Sequence, residues 1–167
     1  MLNNTGIYKA LLVAHIFCAI VGFGAVYLNA LYGAEIRKRR GQEGLAVYEA
    51  NFRVSQIGQY FIYGVFVFGI LLVVASDDAA KFSQTWVWLS TLLYLVGTGL
   101  SHGVLLPAVK RMGVLMREMI AAGPPQGGPP PQAAEMAELG KRVGVTGATL
   151  DVLIVVILVL MVWKPGL

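Results

Sequence analysis

Four long apolar runs constrain this chain more than any other feature. They cover Tyr8 to Tyr32, Gln59 to Ser76, Thr85 to Pro107 and Val145 to Trp163. A helix that crosses a hydrocarbon core needs about 20 mainly apolar residues, and each run is close to that length. What is left over is tails and connectors. Only 13% of the 167 residues are charged, about half the share of a soluble domain. The sequence therefore predicts one all-α integral membrane domain over residues 1–167, a transmembrane four-helix bundle running up-down-up-down.

The first run is expected to remain as a helix rather than be cleaved as a signal peptide. Its only flanking cation is Lys9, it is long for a signal core, and no small-residue cleavage site follows it. The single cysteine, Cys18, lies inside this run, so the sequence offers neither an internal disulfide nor a Cys-based metal site.

The cations are distributed unevenly. Arg37, Lys38, Arg39, Arg40 and Arg53 fall in the first connector. Lys110, Arg111, Arg117, Lys141 and Arg142 fall in the third. The second connector has Lys81 beside Asp77 and Asp78, and the tails add only Lys9 and Lys164. The positive-inside rule then puts connectors one and three in the cytoplasm and both termini outside, in an inner membrane. Trp86, Trp88 and Trp163 are expected to form a belt at the outer interface. The net charge of +4 is explained by orientation and gives no reason to expect nucleic acid.

The connectors differ in character. Leu45, Tyr48 and Phe52 are spaced to share a helical face, which predicts a helix lying along the cytoplasmic interface. The third connector predicts a helical hairpin over about 108–144, broken by a Pro/Gly turn at 123–131. Proline lacks a backbone donor and fixes its own φ, so that turn cannot be helix. It reads as a passive linker or as a partner-docking loop.

Small residues mark packing faces. His15, Cys18, Gly22, Ala25, Asn29 and Gly33 recur at spacings of three and four, which places them on one stripe of the first helix. Small side chains let helix backbones approach closely in lipid. Gly64 and Gly69 in the second run, and Gly99 and Gly103 in the third, are candidates for the same role.

Few polar groups lie at membrane depth, where they are expensive and mark candidate sites. His102 lies eight residues from Lys110, Asp151 nine from Arg142, Asn29 eight from Arg37 and Gln59 six from Arg53. At about 1.5 Å per residue these depths are roughly 9–13 Å, so His102, Asp151, Asn29 and Gln59 form one polar layer. His102 and Asp151 are expected to pair, either as a structural contact or as a proton-linked or ligand-binding site; the remaining reading has Asp151 reaching water at the interface. His15 lies roughly 20 Å further toward the outer face, so the two histidines cannot share one metal. His15 has three readings: a bond to a backbone carbonyl, a contact with headgroups, or one axial bond to a b-type haem. The sequence has no HExxH, no CxxC and no phosphate-cradling loop.

The run from Tyr8 to Ile16, followed by Gly22, Gly24 and an exit into Arg37-Lys38-Arg39-Arg40, resembles the DUF2269 family of bacterial four-span proteins of unknown function. It is also distantly similar to CopD-like and HemJ-like four-span proteins, which carry a histidine early in their first helix. That second likeness implies haem association through His15. Together these readings predict a small membrane subunit, non-catalytic and accessory, that packs against other subunits or itself. The alternative is a haem-associated redox protein.

Overall fold

The computed structural model describes residues 6–39, 41–76, 80–123, 128 and 131–166. The described residues are almost wholly helical. Helix α1 spans Gly6–Lys38, α2 Gly41–Val74, α3 Thr85–Leu100, α4 Leu106–Ala121 and α5 Gln132–Trp163. A π-helical turn, Ser101–Leu105, joins α3 to α4 without a break. The result is four rods, each long and apolar enough to cross a membrane. In lipid the helix satisfies every backbone group within its own segment, which is why apolar runs of this length take that form.

The rods alternate in direction. α1 and α2 form one antiparallel hairpin, while α3–α4 and α5 form the other. α2 packs on α4 and α1 on α5, which closes a four-helix arrangement. Gly41, at φ +58°, allows the chain to reverse between α1 and α2. Between α2 and α3 the buried Ser76 hydroxyl accepts the Ala80 N–H at 3.0 Å. α5 ends where Lys164 turns left-handed and its N–H reaches the Leu160 carbonyl.

The rods are 33, 34, 37 and 32 residues long, or about 50 Å each. A hydrocarbon core is about 30 Å thick. The helical residues beyond the four apolar runs, 33–38, 41–58, 108–121 and 132–144, lie at the end that carries the α1–α2 and α4–α5 connections, the basic end. One expectation changes. Residues 45–52 form no separate interfacial helix, because α2 runs unbroken from Gly41 to Val74. The helix that returns from Gln132 is continuous with the fourth rod as α5. The hairpin's expected turn at 123–131 falls largely outside the described residues.

The π turn was not foreseen, although Pro107 explains it. Proline has no N–H to give the carbonyl four residues back, and its ring crowds that carbonyl. Widening the turn relieves both problems, and the Leu106 N–H bonds to the Ser101 carbonyl instead. Trp86 is a further correction to the belt, because it is buried inside the bundle. Lys164 lies over its ring, 5.5 Å from the centroid. Trp88 and Trp163 are exposed.

Candidate functional site

The α1–α2 seam is where the small-residue stripe is used. Gly22 lies so close to Ile62 that a Cβ would come within 3.0 Å of its backbone nitrogen. A Cβ on Gly58 would sit 2.6 Å from that of Ala25, and one on Gly64 would sit 2.8 Å from the Cys18 sulfur. Asn29 Oδ1 accepts a hydrogen bond from Ser55 at 2.8 Å. The glycines of the third run behave differently: a Cβ at Gly99 or Gly103 would meet nothing within 4 Å. That pair does not serve close packing here.

His15 belongs to this seam. Its Nδ1 lies 2.9 Å from the Val65 carbonyl. A carbonyl only accepts, so the Nδ1 carries the proton and Nε2 holds the lone pair in the neutral ring. The ring lies against Gly69, whose Cβ would come 3.3 Å from Cε1. Tyr94 donates to the Ile62 carbonyl at 3.2 Å.

Beside this seam the bundle is open. A cleft of about 2070 Å³ runs between the two hairpins, from Gly22 and Asp151 to the basic end. His102, Asp151, Asn29 and Gln59 all line it. The expected direct pair between His102 and Asp151 is nevertheless absent. The Nδ1–H of His102 donates to the Thr98 carbonyl at 2.9 Å, and Nε2 accepts the Tyr63 hydroxyl at 2.7 Å. The two rings are stacked. Asp151 Oδ1 is buried and has no hydrogen-bond partner among the described residues. Its backbone carbonyl accepts from Tyr27 at 3.3 Å.

The physical reason is a difference in level. Leu150 and Leu153 cover Gly97, so Asp151 sits about five residues, or roughly 7.5 Å, further from the basic end than His102. Counting depth from Arg142 assumed that Arg142 and Lys110 sit at one level. The Arg111–Glu135 pair instead puts Glu135 beside that level of α4, so Arg142 and Asp151 are displaced away from the basic end.

The basic end is braced by polar contacts. Arg111 grips Glu135 through two bonds of 2.7 and 2.9 Å, and Arg117 reaches Glu49 at 2.8 Å. The Arg111 hydrogen bonds hold the Glu135 carboxyl below its ordinary pKa. Lys38 and Arg39 do the same for Glu35. Tyr48 is buried against Gly113, where a Cβ would come 2.5 Å from its hydroxyl. That hydroxyl donates to the Val109 carbonyl at 2.9 Å, and Tyr48 stacks on Phe52. The shared face of Tyr48 and Phe52 was readable in the sequence, whereas their contact with Gly113 was not.

The profile of a family described as "Predicted integral membrane protein (DUF2269)" matches residues 9–165. The chain belongs to DUF2269. The match runs from the first turns of α1 past the end of α5. No curated protein and no solved structure matches this DUF2269 protein. Nothing in these comparisons ties it to CopD-like or HemJ-like proteins, so the haem expectation stands on His15 alone. Among the described residues of the DUF2269 chain, no group of three or more His, Cys, Asp or Glu side chains is placed to hold a metal ion.

Proposed function

We propose that this DUF2269 protein is a non-catalytic accessory or scaffold subunit of a larger membrane assembly. One observation carries the reading. All four rods continue beyond the length a membrane needs, and at that end α2, α4 and α5 are cross-braced by Arg111–Glu135, Arg117–Glu49 and the Tyr48–Gly113 contact. A braced projection presents a fixed surface to a partner, which a bundle confined to lipid does not need. With the cations read by the positive-inside rule, the projection faces the cytoplasm and both termini face outward across an inner membrane. The partner is another membrane subunit or a second copy of this chain.

Two measurements test this. Extraction from native membranes in mild detergent, followed by native mass measurement, should give an assembly heavier than the 18.0 kDa chain. A clean monomer across several mild detergents would reject the reading. Reporter fusions at residues 78 and 127 should signal outside and cytoplasm respectively, and the reverse pattern would overturn the orientation.

The haem alternative has one observation in its favour. The Val65 carbonyl fixes the His15 proton on Nδ1, leaving Nε2 with the lone pair an axial ligand needs. Against it, His15 sits in the tight seam against Gly69 and is not among the residues that line the cleft. A Soret band that vanishes in His15→Ala and survives in His102→Ala would establish haem. A colourless protein from haem-supplied cells would end the alternative.

A further inference from the structure

We propose that the cleft between the two hairpins holds one anionic glycerophospholipid, with its phosphate at Arg37 and Lys110 and an acyl chain running along α5. This stands independently of the scaffold reading. Arg37 and Lys110 both line the cleft, and neither has an ion pair or side-chain hydrogen bond among the described residues. By contrast, Arg111, Arg117 and Arg39 are each committed to a glutamate. Two uncommitted cations lining one cleft at the basic end supply the charge that an anionic headgroup needs, as in basic pockets between transmembrane helices.

The wall below these cations fits a chain. Gly140, Gly144 and Gly147 line the cleft on α5, and a Cβ at any of them would meet nothing within 4 Å. From Arg37 the cleft continues along α1 to Gly22, fifteen residues deeper. That is about 22 Å of helix, more than the roughly 15 Å half-thickness of a hydrocarbon core. One polar atom of the lining is also unsatisfied. Asn51 Oδ1 is buried without a hydrogen-bond partner among the described residues. A headgroup hydroxyl beside the phosphate would supply the missing donor. Phosphatidylglycerol has both the charge and the hydroxyl, whereas phosphatidylcholine has neither a net charge nor a donor.

The test uses the full chain in nanodiscs of equimolar phosphatidylglycerol and phosphatidylcholine, released and weighed by native mass spectrometry. The wild type should retain one phosphatidylglycerol per chain, enriched on the order of tenfold over phosphatidylcholine. The Arg37→Gln/Lys110→Gln variant should lose that enrichment. Gly144→Leu should lower retention of either lipid by filling the slot without touching a cation. Arg53→Gln serves as the control, because Arg53 is exposed and is not part of the cleft lining, so enrichment should persist. If Arg53→Gln loses as much as the double variant, the attraction is a general surface effect and the proposal fails. It fails equally if Gly144→Leu leaves retention unchanged. Displacement of the lipid by millimolar inorganic phosphate would identify a free-phosphate site and overturn the lipid assignment. Circular dichroism of each variant separates lost binding from lost folding.

Discussion

The seam between α1 and α2 and the cleft beside it solve opposite problems. In the seam α1 lies against α2 with Gly22, Ala25, Gly58 and Gly64 at the contact, close enough that single Cβ atoms would collide. Next to it α4 and α5 stand back and leave a cleft, and three α5 glycines face open space. The same residue type thus means two things in one molecule. In the seam glycine is what allows backbones to meet, as packing in lipid requires. In the cleft it leaves a slot. The histidines follow the same division. His15 is pinned in the seam by a backbone carbonyl, and His102 stands in the cleft bonded to Tyr63 and Thr98.

The sharpest way to break this comparison is to exchange glycines for leucine. Gly58→Leu must displace Ala25 and should cost about 3 kcal/mol of unfolding free energy in detergent, as overpacking does. Gly99→Leu, with nothing near its Cβ, should stay within about 0.5 kcal/mol of wild type. Equal losses would mean that the seam is not the stabilising interface.

A smaller contrast separates the histidines. His15→Ala removes a hydrogen bond and a packed ring, and should destabilise by about 2 kcal/mol. His102→Ala acts at an exposed position and should cost under about 1 kcal/mol. Chemical denaturation of the two variants side by side measures the difference, and a reversed order would contradict the placement of His15.

Tyr48→Phe examines the brace at the basic end. It keeps the ring on Gly113 but loses the bond to Val109, for about 1 kcal/mol. A neutral result would show that the ring, and not the bond to Val109, is what Tyr48 contributes to the α2–α4 brace.

The smallest effect concerns pH. Arg111 lowers the Glu135 pKa, so the stabilisation from this pair is complete above the ordinary glutamate pKa. It is lost as pH falls through the lowered value. Thermal unfolding should therefore show wild type above Glu135→Gln at neutral pH, with the gap closing in acid. Both partners are exposed, so the gap should also shrink in high salt. A gap that persists at low pH would exclude the ion pair as its source.

The sequence determined the four rods, their alternation and the small-residue stripe of α1. These follow from period, length and the rule that lipid leaves no backbone group unpaired, all of which are local properties. Five members of that stripe meet α2 where the spacing placed them on one face: His15, Cys18, Gly22, Ala25 and Asn29. The tertiary structure decided what depth counting could not. Counting residues from a cation fixes height only if every cation marks the same plane, and Arg142 and Lys110 do not. Nor does height fix rotation. His102 therefore turned to Tyr63, Asn29 to Ser55, and Asp151 was left with an oxygen that has no partner among the described residues. Side-chain partners depend on helix offset and azimuth together, and both are set only when four helices pack against one another.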